Sequence, residues 1–165
     1  MIIDASVAVD AVTDPGERGQ VARSFLAAIP AGEPLHAPGH FAIEVLSALV
    51  AVARRPATSF ADSDIADAVR SLADFGIDID RTPWPDVTRA WDLAAGSVRY
   101  SDGIYLASAE RHRQPLVTSD ARLARSGAAV DCPVHALSPP SHADRAGRTP
   151  ATMPGMTGRT AGGVL

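Results

Sequence analysis

The sequence predicts an α/β fold, a parallel sheet covered on both faces by helices. Three observations predict it. Short apolar segments of strand length alternate with longer segments of helical apolar spacing, the pattern of strands joined by helical crossovers. The length of 165 residues suits one domain. Apolar residues make up 46% of the chain, enough to build a core without disulfides or a structural metal.

The elements follow in order. Ile2-Ile3 is a short buried strand that ends in Asp4, and Ala5-Ser6-Val7-Ala8-Val9 continues the buried region. Gly16 to Ile29 carries Val21, Phe25, Leu26 and Ile29 at helical spacing, and Pro30 to Pro34 breaks it. Leu35-His36-Ala37 reads as a second strand and Pro38-Gly39 as a turn. A long helix runs from His40 to Arg54 with a stripe of Phe41, Val45, Ala48, Leu49 and Val52. Ser63-Asp64 caps a helix through Ile65, Val69 and Leu72 that Gly76 ends, and Ile77-Asp78-Ile79-Asp80 alternates as a strand does. Pro85 occupies a first helical position and Val87 to Ala95 continues that helix. Ser101-Asp102 precedes a helix from Ile104 to Arg111, Leu116-Val117-Thr118 is a strand, and Ala121 to Arg125 is a short helix. A last strand, Val130 to Leu137, is interrupted by Pro133. From Ser138 onward the chain is rich in Pro, Gly, Ser, Thr and Arg and poor in large apolar residues. Residues 1–138 therefore read as the domain and 139–165 as a disordered tail.

Composition narrows the function classes. The single cysteine, Cys132, forms no internal disulfide, so a reducing compartment, the cytoplasm, is expected. The first residues lack the basic start and long apolar run of a signal peptide, and no stretch has the roughly 18 apolar residues of a membrane span. Net charge is −4 and all fifteen basic residues are arginine. That balance argues against a passive nucleic-acid-binding module with a basic coat. It argues less against a nuclease, whose acidic metal ligands enter the sum while bound cations reverse their field.

Ligand sites in open α/β sheets lie beyond the carboxyl ends of the strands, so the acids there are the candidates. Asp4 ends the first strand and lies in a buried region, where an unpartnered carboxylate is costly. Glu44 sits about one turn into the long helix on an otherwise apolar face. Asp102 stands at a helix start, and Asp120 follows the strand Leu116-Val117-Thr118. Each also has an ordinary reading: Asp102 and Asp120 as helix caps, Glu44 as a solvated helix residue. Acids converging on one sheet edge repel one another unless a cation neutralises them. Hard oxygen ligands select Mg2+ or Mn2+, ions that activate water and stabilise the leaving oxygen of a phosphodiester. Spacing alone leaves open whether the four acids meet.

Four segments carry a resemblance. Met1-Ile2-Ile3-Asp4-Ala5-Ser6-Val7, Ile43-Glu44-Val45, the run from Ser101-Asp102-Gly103 to Ala109-Glu110, and the run from Leu116-Val117-Thr118-Ser119-Asp120 to Leu123 resemble, in order and separation, the four motifs of PIN domains. They are closest in style to the VapC-like toxins of type II toxin–antitoxin modules, and the resemblance covers residues 1–137. It implies a three-layer α/β/α sandwich with a central parallel sheet. It implies that Asp4, Glu44, Asp102 and Asp120 form an acidic metal site, with the hydroxyls of Ser6 and Thr118 supporting it. The implied activity is Mg2+- or Mn2+-dependent endonucleolytic cleavage of RNA, and the implied partners are a second copy of the chain and a cognate antitoxin. Gly103 departs from the pattern, standing where many members have a larger residue, and is expected to loosen that helix start.

The remaining residues are weighed on their own. Arg111, Arg113, Arg122 and Arg125 follow two of the acidic motifs and are candidates for RNA phosphates, against a solvated helix face as the alternative. His40 and Glu44 stand four apart, but no second histidine or cysteine has the spacing of a zinc site. His112 and His135 read as surface or strand residues, Cys132 as structural, and Trp84 and Trp91 as packing residues. No G-x-G-x-x-G follows the first strand, which sets aside a dinucleotide enzyme. A phosphoacceptor receiver needs a lysine, and the chain has none; a dehalogenase-like phosphatase needs an aspartate where Ser6 stands. A catalytically silent PIN-like module that binds RNA or protein is the remaining alternative.

Overall fold

The computed structural model describes residues 1–96 and 98–139. The tail expected over 139–165 lies, apart from Pro139, outside the described residues. Five parallel strands form one sheet: β1 Ile2–Ile3, β2 Leu35–Pro38, β3 Ile77–Asp80, β4 Leu116–Thr118 and β5 Val134–Ala136. Their order is β3-β2-β1-β4-β5, which puts β1 at the centre. Ile2 and Ile3 are accordingly shut off from solvent, and the Ile2 and Asp4 amides donate to the carbonyls of Pro115 and Val117 at 2.9 and 3.0 Å.

The connections are α1 Ala5–Thr13, α2 Glu17–Ala28, α3 Phe41–Ala53, α4 Ile65–Ala73, α5 Trp84–Ala94, α6 Tyr100–His112 and α7 Ala121–Ala124. Right-handed crossovers fix their faces. The chain steps outward from β1 to β2 to β3, so α1 to α4 lie on one face; it then returns to β4 on the other side of β1, which puts α5 and α6 on the opposite face. The contacts agree: α1 touches α2, α3 and α4, while α5 packs on α6 and α6 lies along β1, β2 and β4. The result is the three-layer α/β/α sandwich, with Val7, Leu49, Tyr105, Leu106 and Leu116 among its fully buried side chains.

Several expectations need correction. The apolar run after Asp4, buried as expected but given no secondary structure from the sequence, is a helix, α1, and the Asp4 carboxylate accepts from the Ser6 amide and caps it. Ser63 caps nothing; a 3-10 turn at Asp62–Asp64 precedes α4, and the Asp64 carboxylate accepts from the Ala61 amide at 2.8 Å. Helix α6 begins at Tyr100 rather than Ile104, which puts Asp102 inside its first turn. Strand β5 starts only after Pro133, whose missing N–H cannot serve a ladder. Trp84 and Trp91 are not packing residues: they are 82% and 74% exposed on one face of α5. Gly103 does not loosen the start of α6. It is buried where α6 crosses α5, and a Cβ there would lie 2.9 Å from the carbonyl oxygen of Ala90.

Candidate active site

Strand order reverses at β1 and β4, and such a switch point opens a crevice beyond the strand ends. Asp4 enters it from the end of β1. One oxygen accepts from the Ser6 amide at 3.0 Å and the other accepts from the Thr118 hydroxyl. The Thr118 hydroxyl, fully buried at the end of β4, also accepts from the Asp120 amide at 2.9 Å and lies 3.3 Å from the Ser6 hydroxyl. Ser6 Oγ in turn accepts from the Ser119 amide at 3.0 Å. Ser6 and Thr118 thus tie the end of β1, the start of α1 and the end of β4 into one hydroxyl network. Asp4 is 7% exposed, and burial pushes its carboxyl up to about 6 against the lowering pull of the Thr118 and Ser6 hydrogen bonds.

Glu44 comes from the first turn of α3 and is held from α6. The buried Tyr105 hydroxyl donates to Glu44 Oε2 at 2.7 Å. Burial raises the Tyr105 pKa, so this phenol stays a donor. His40 Nε2 lies 3.5 Å from the same oxygen, its ring edge-on to Tyr105 with centroids 4.8 Å apart. Burial lowers the His40 pKa, which favours a neutral ring.

Asp102 is no cap, since Arg99 holds that position of α6; its pKa is raised, by burial first and by the Asp120 and Glu44 charges further down. Asp120 does cap α7, accepting from the Arg122 and Leu123 amides at 2.7 and 3.3 Å. Burial pushes its pKa up, but hydrogen bonds from the Arg122 backbone and side chain outweigh that and hold it low. Arg122 Nη2 donates to both acids, 3.0 Å to Asp102 Oδ2 and 3.1 Å to Asp120 Oδ2.

All four acids, with Ser6, line one cleft. Among the described residues no group of three or more His, Cys, Asp or Glu side chains is posed to hold a metal ion. Each acid is held by a partner from the chain itself: a hydroxyl and an amide hold Asp4, a phenol holds Glu44, and a guanidinium holds the other two. The donor set fits a hard divalent cation all the same. It is made of carboxylates, its innermost member is a buried acid with a raised pKa, and a cation of the chain already bridges two of its members.

Of the four arginines singled out in the sequence, Arg122 reaches the acids and the other three are not among the residues that line the cleft. Arg111 is held in ion pairs away from the acids, its Nε 2.9 Å from buried Asp86 and its Nη2 2.9 Å from Asp80. Arg113 ends α6 in a left-handed conformation, at the opposite end of that helix from Asp102. Arg125 follows α7 and is exposed. Arg18, Arg55 and Arg99 line the cleft instead. Arg99 and Tyr105 each stand three residues from Asp102, a spacing that marks helix neighbours of a motif acid; no comparable signal points to Arg18 or Arg55.

The profile of the PIN domain family matches residues 1–128. The chain belongs to the PIN-domain family. Among curated proteins, this PIN domain is 33% identical over 127 residues to ribonuclease VapC12 of Mycobacterium tuberculosis, covering 76% of this chain and 91% of that one. Ribonuclease VapC3 of the same organism is 32% identical, with 76% and 86% covered. Among solved structures, M. tuberculosis VapC20, described as a sarcin-ricin loop cleaving toxin, superposes with a TM-score of 0.59 at 13% identity, covering 77% of this chain and 95% of that one. A toxin–antitoxin complex from Klebsiella pneumoniae gives 0.55 at 17% identity, with 76% and 91% covered. These two share the fold. Among the described residues no helix is long and apolar enough to cross a membrane.

Proposed function

We propose that this PIN domain is a Mg2+- or Mn2+-dependent endoribonuclease and the toxin of a toxin–antitoxin pair, working in the cytoplasm. One observation carries the reading: four acids from four separate elements line a single cleft at the switch point of the sheet. Relatives that are named ribonucleases support RNA as the substrate. Asp4, Glu44, Asp102 and Asp120 would hold the ion, which supplies an acidified water and charge neutralisation at the leaving oxygen. Thr118 and Ser6 fix the Asp4 carboxylate, and Tyr105 fixes that of Glu44. Fixed carboxylates lose little orientational freedom when a ligand arrives. Arg18, Arg55 and Arg99, which line the same cleft, would hold RNA phosphates. A cognate antitoxin blocks the cleft. A second copy covers part of the exposed apolar surface, which includes Ile43, Leu46, Trp84 and Trp91.

The purified chain is expected to cleave RNA with Mn2+ or Mg2+ and to stop in excess EDTA. Asp4→Asn and Glu44→Gln abolish cleavage while keeping the wild-type circular dichroism spectrum, and light scattering gives the mass of a dimer. Near-normal cleavage by both variants means the acids are misassigned. Cleavage that survives EDTA removes the metal, and a folded wild type without cleavage under any metal favours a silent binding module. A monomer mass removes the second copy.

A further inference from the structure

We propose that Arg122 is a built-in counter-cation of the acidic cleft, which a divalent ion must displace in order to bind; this rests on reading the cleft as a metal site. A single nitrogen, Nη2, reaches Asp102 Oδ2 at 3.0 Å and Asp120 Oδ2 at 3.1 Å. The two acids belong to different elements, α6 and the cap of α7, so the guanidinium clips together side chains that repel each other without it. Asp120 Oδ1 is taken by the Arg122 and Leu123 amides, so an ion that Asp120 ligates competes with the guanidinium for Oδ2. The guanidinium has room to leave, because the Arg122 side chain is 48% exposed. Its departure leaves the helix intact, because the Arg122 amide stays bonded to the other oxygen of Asp120 at 2.7 Å.

The remaining arginines near the cleft do not share this geometry. Arg18 is paired with Asp10 at 2.8 Å. Arg99 acts on Asp102 through space. Affinity for the ion is therefore set in part by a competitor the chain carries itself, and without the ion Asp102 and Asp120 form an ion cluster with Arg122.

Calorimetric titration of Mn2+ into the full chain tests this, using wild type, Arg122→Gln, Arg99→Gln and Asp4→Asn. Losing a bridge of two charge-assisted hydrogen bonds at a half-exposed site should tighten Mn2+ binding by about tenfold in Arg122→Gln. Losing only a screened neighbouring charge should tighten it by no more than about threefold in Arg99→Gln. In the wild type, Mg2+ titration followed by nitrogen-15 NMR should shift the Arg122 Nε–H resonance as the side chain comes free. An Arg122 resonance unmoved at saturating Mg2+ overturns the inference. So does an unchanged or weaker Mn2+ affinity in Arg122→Gln, or equal tightening in both arginine variants. Binding that Asp4→Asn abolishes but Arg122→Gln leaves alone overturns this inference and spares the metal site. Absence of binding in every variant overturns both.

Discussion

The Thr118 hydroxyl stands where three demands meet. It donates to Asp4, accepts from the Asp120 amide at 2.9 Å, and has no exposure through which water could replace either partner. Thr118→Val keeps the shape and removes the hydroxyl, leaving a buried carboxylate oxygen and a backbone N–H unsatisfied. Such groups cost about 1–3 kcal/mol each, against about 1 kcal/mol for losing an ordinary hydrogen bond. Thr118→Val should therefore lower stability by about 2–6 kcal/mol in EDTA, the sum of two such groups. Thr118→Ser, which keeps the hydroxyl, should lose about 1 kcal/mol for its missing methyl group. Urea unfolding of the two variants checks this, and equal losses would show that the methyl rather than the hydroxyl matters. The same residue marks the limit of a sequence reading. Thr118 and Asp4 are adjacent only because β4 pairs with β1 across more than a hundred residues.

Among the elements, the contact between α5 and α6 is decided by Gly103. An alanine there gains about 1 kcal/mol of helix propensity. Its Cβ, however, would sit 2.9 Å from the Ala90 carbonyl oxygen and 3.0 Å from the Ala90 Cα. Those are backbone atoms that yield only if the helices separate, and overpacking of this kind costs about 1–3 kcal/mol. Gly103→Ala should therefore lower the melting temperature; a rise would mean that the crossing has slack. Most elements were legible because their signal is local. Apolar spacing marked α2 and α3, and alternation marked β3. Helix α1 is not legible: β1 is only two residues long, and the acid that follows its end is also the cap that starts α1. The fate of the arginines was not legible either. Arg111 is consumed by Asp80 and Asp86, which lie 31 and 25 residues upstream and meet it only once β3 and α5 have packed. Trp84 and Trp91 misled for the opposite reason, since large aromatic residues on a helix usually face a core and these two face outward.

For the molecule as a whole, the buried acid makes stability depend on pH in a direction opposite to that of its surface carboxylates. The Asp4 pKa rises on folding from 3.8 to about 6, chiefly through burial. Between those values the folded chain binds more protons than the unfolded chain, so its stability falls as pH rises. The contribution of Asp4 is fully present below 3.8 and is lost as pH climbs through about 6. Two pKa units correspond to about 3 kcal/mol. Asp80, held low first by its His112 hydrogen bond, and Glu110, held low first by Arg89, have the reverse sign. Their contributions are present above the ordinary carboxylate range and disappear in acid; His40, lowered first by burial, has the same reverse sign below its ordinary value, while Asp102, raised first by burial, adds to the Asp4 trend. In EDTA, the melting temperature of wild type should therefore fall relative to that of Asp4→Asn between pH 4 and 6, because the amide keeps an oxygen for the Ser6 cap and carries no charge to bury. Saturating Mn2+ should reverse the wild-type slope, since a cation favours the ionised carboxylate and binding to the folded state alone adds stability by mass action. Asp4→Asn should show no such reversal. Parallel pH profiles for the two proteins in EDTA would mean that Asp4 is ionised in the fold at no net cost and that its burial does not call for a cation.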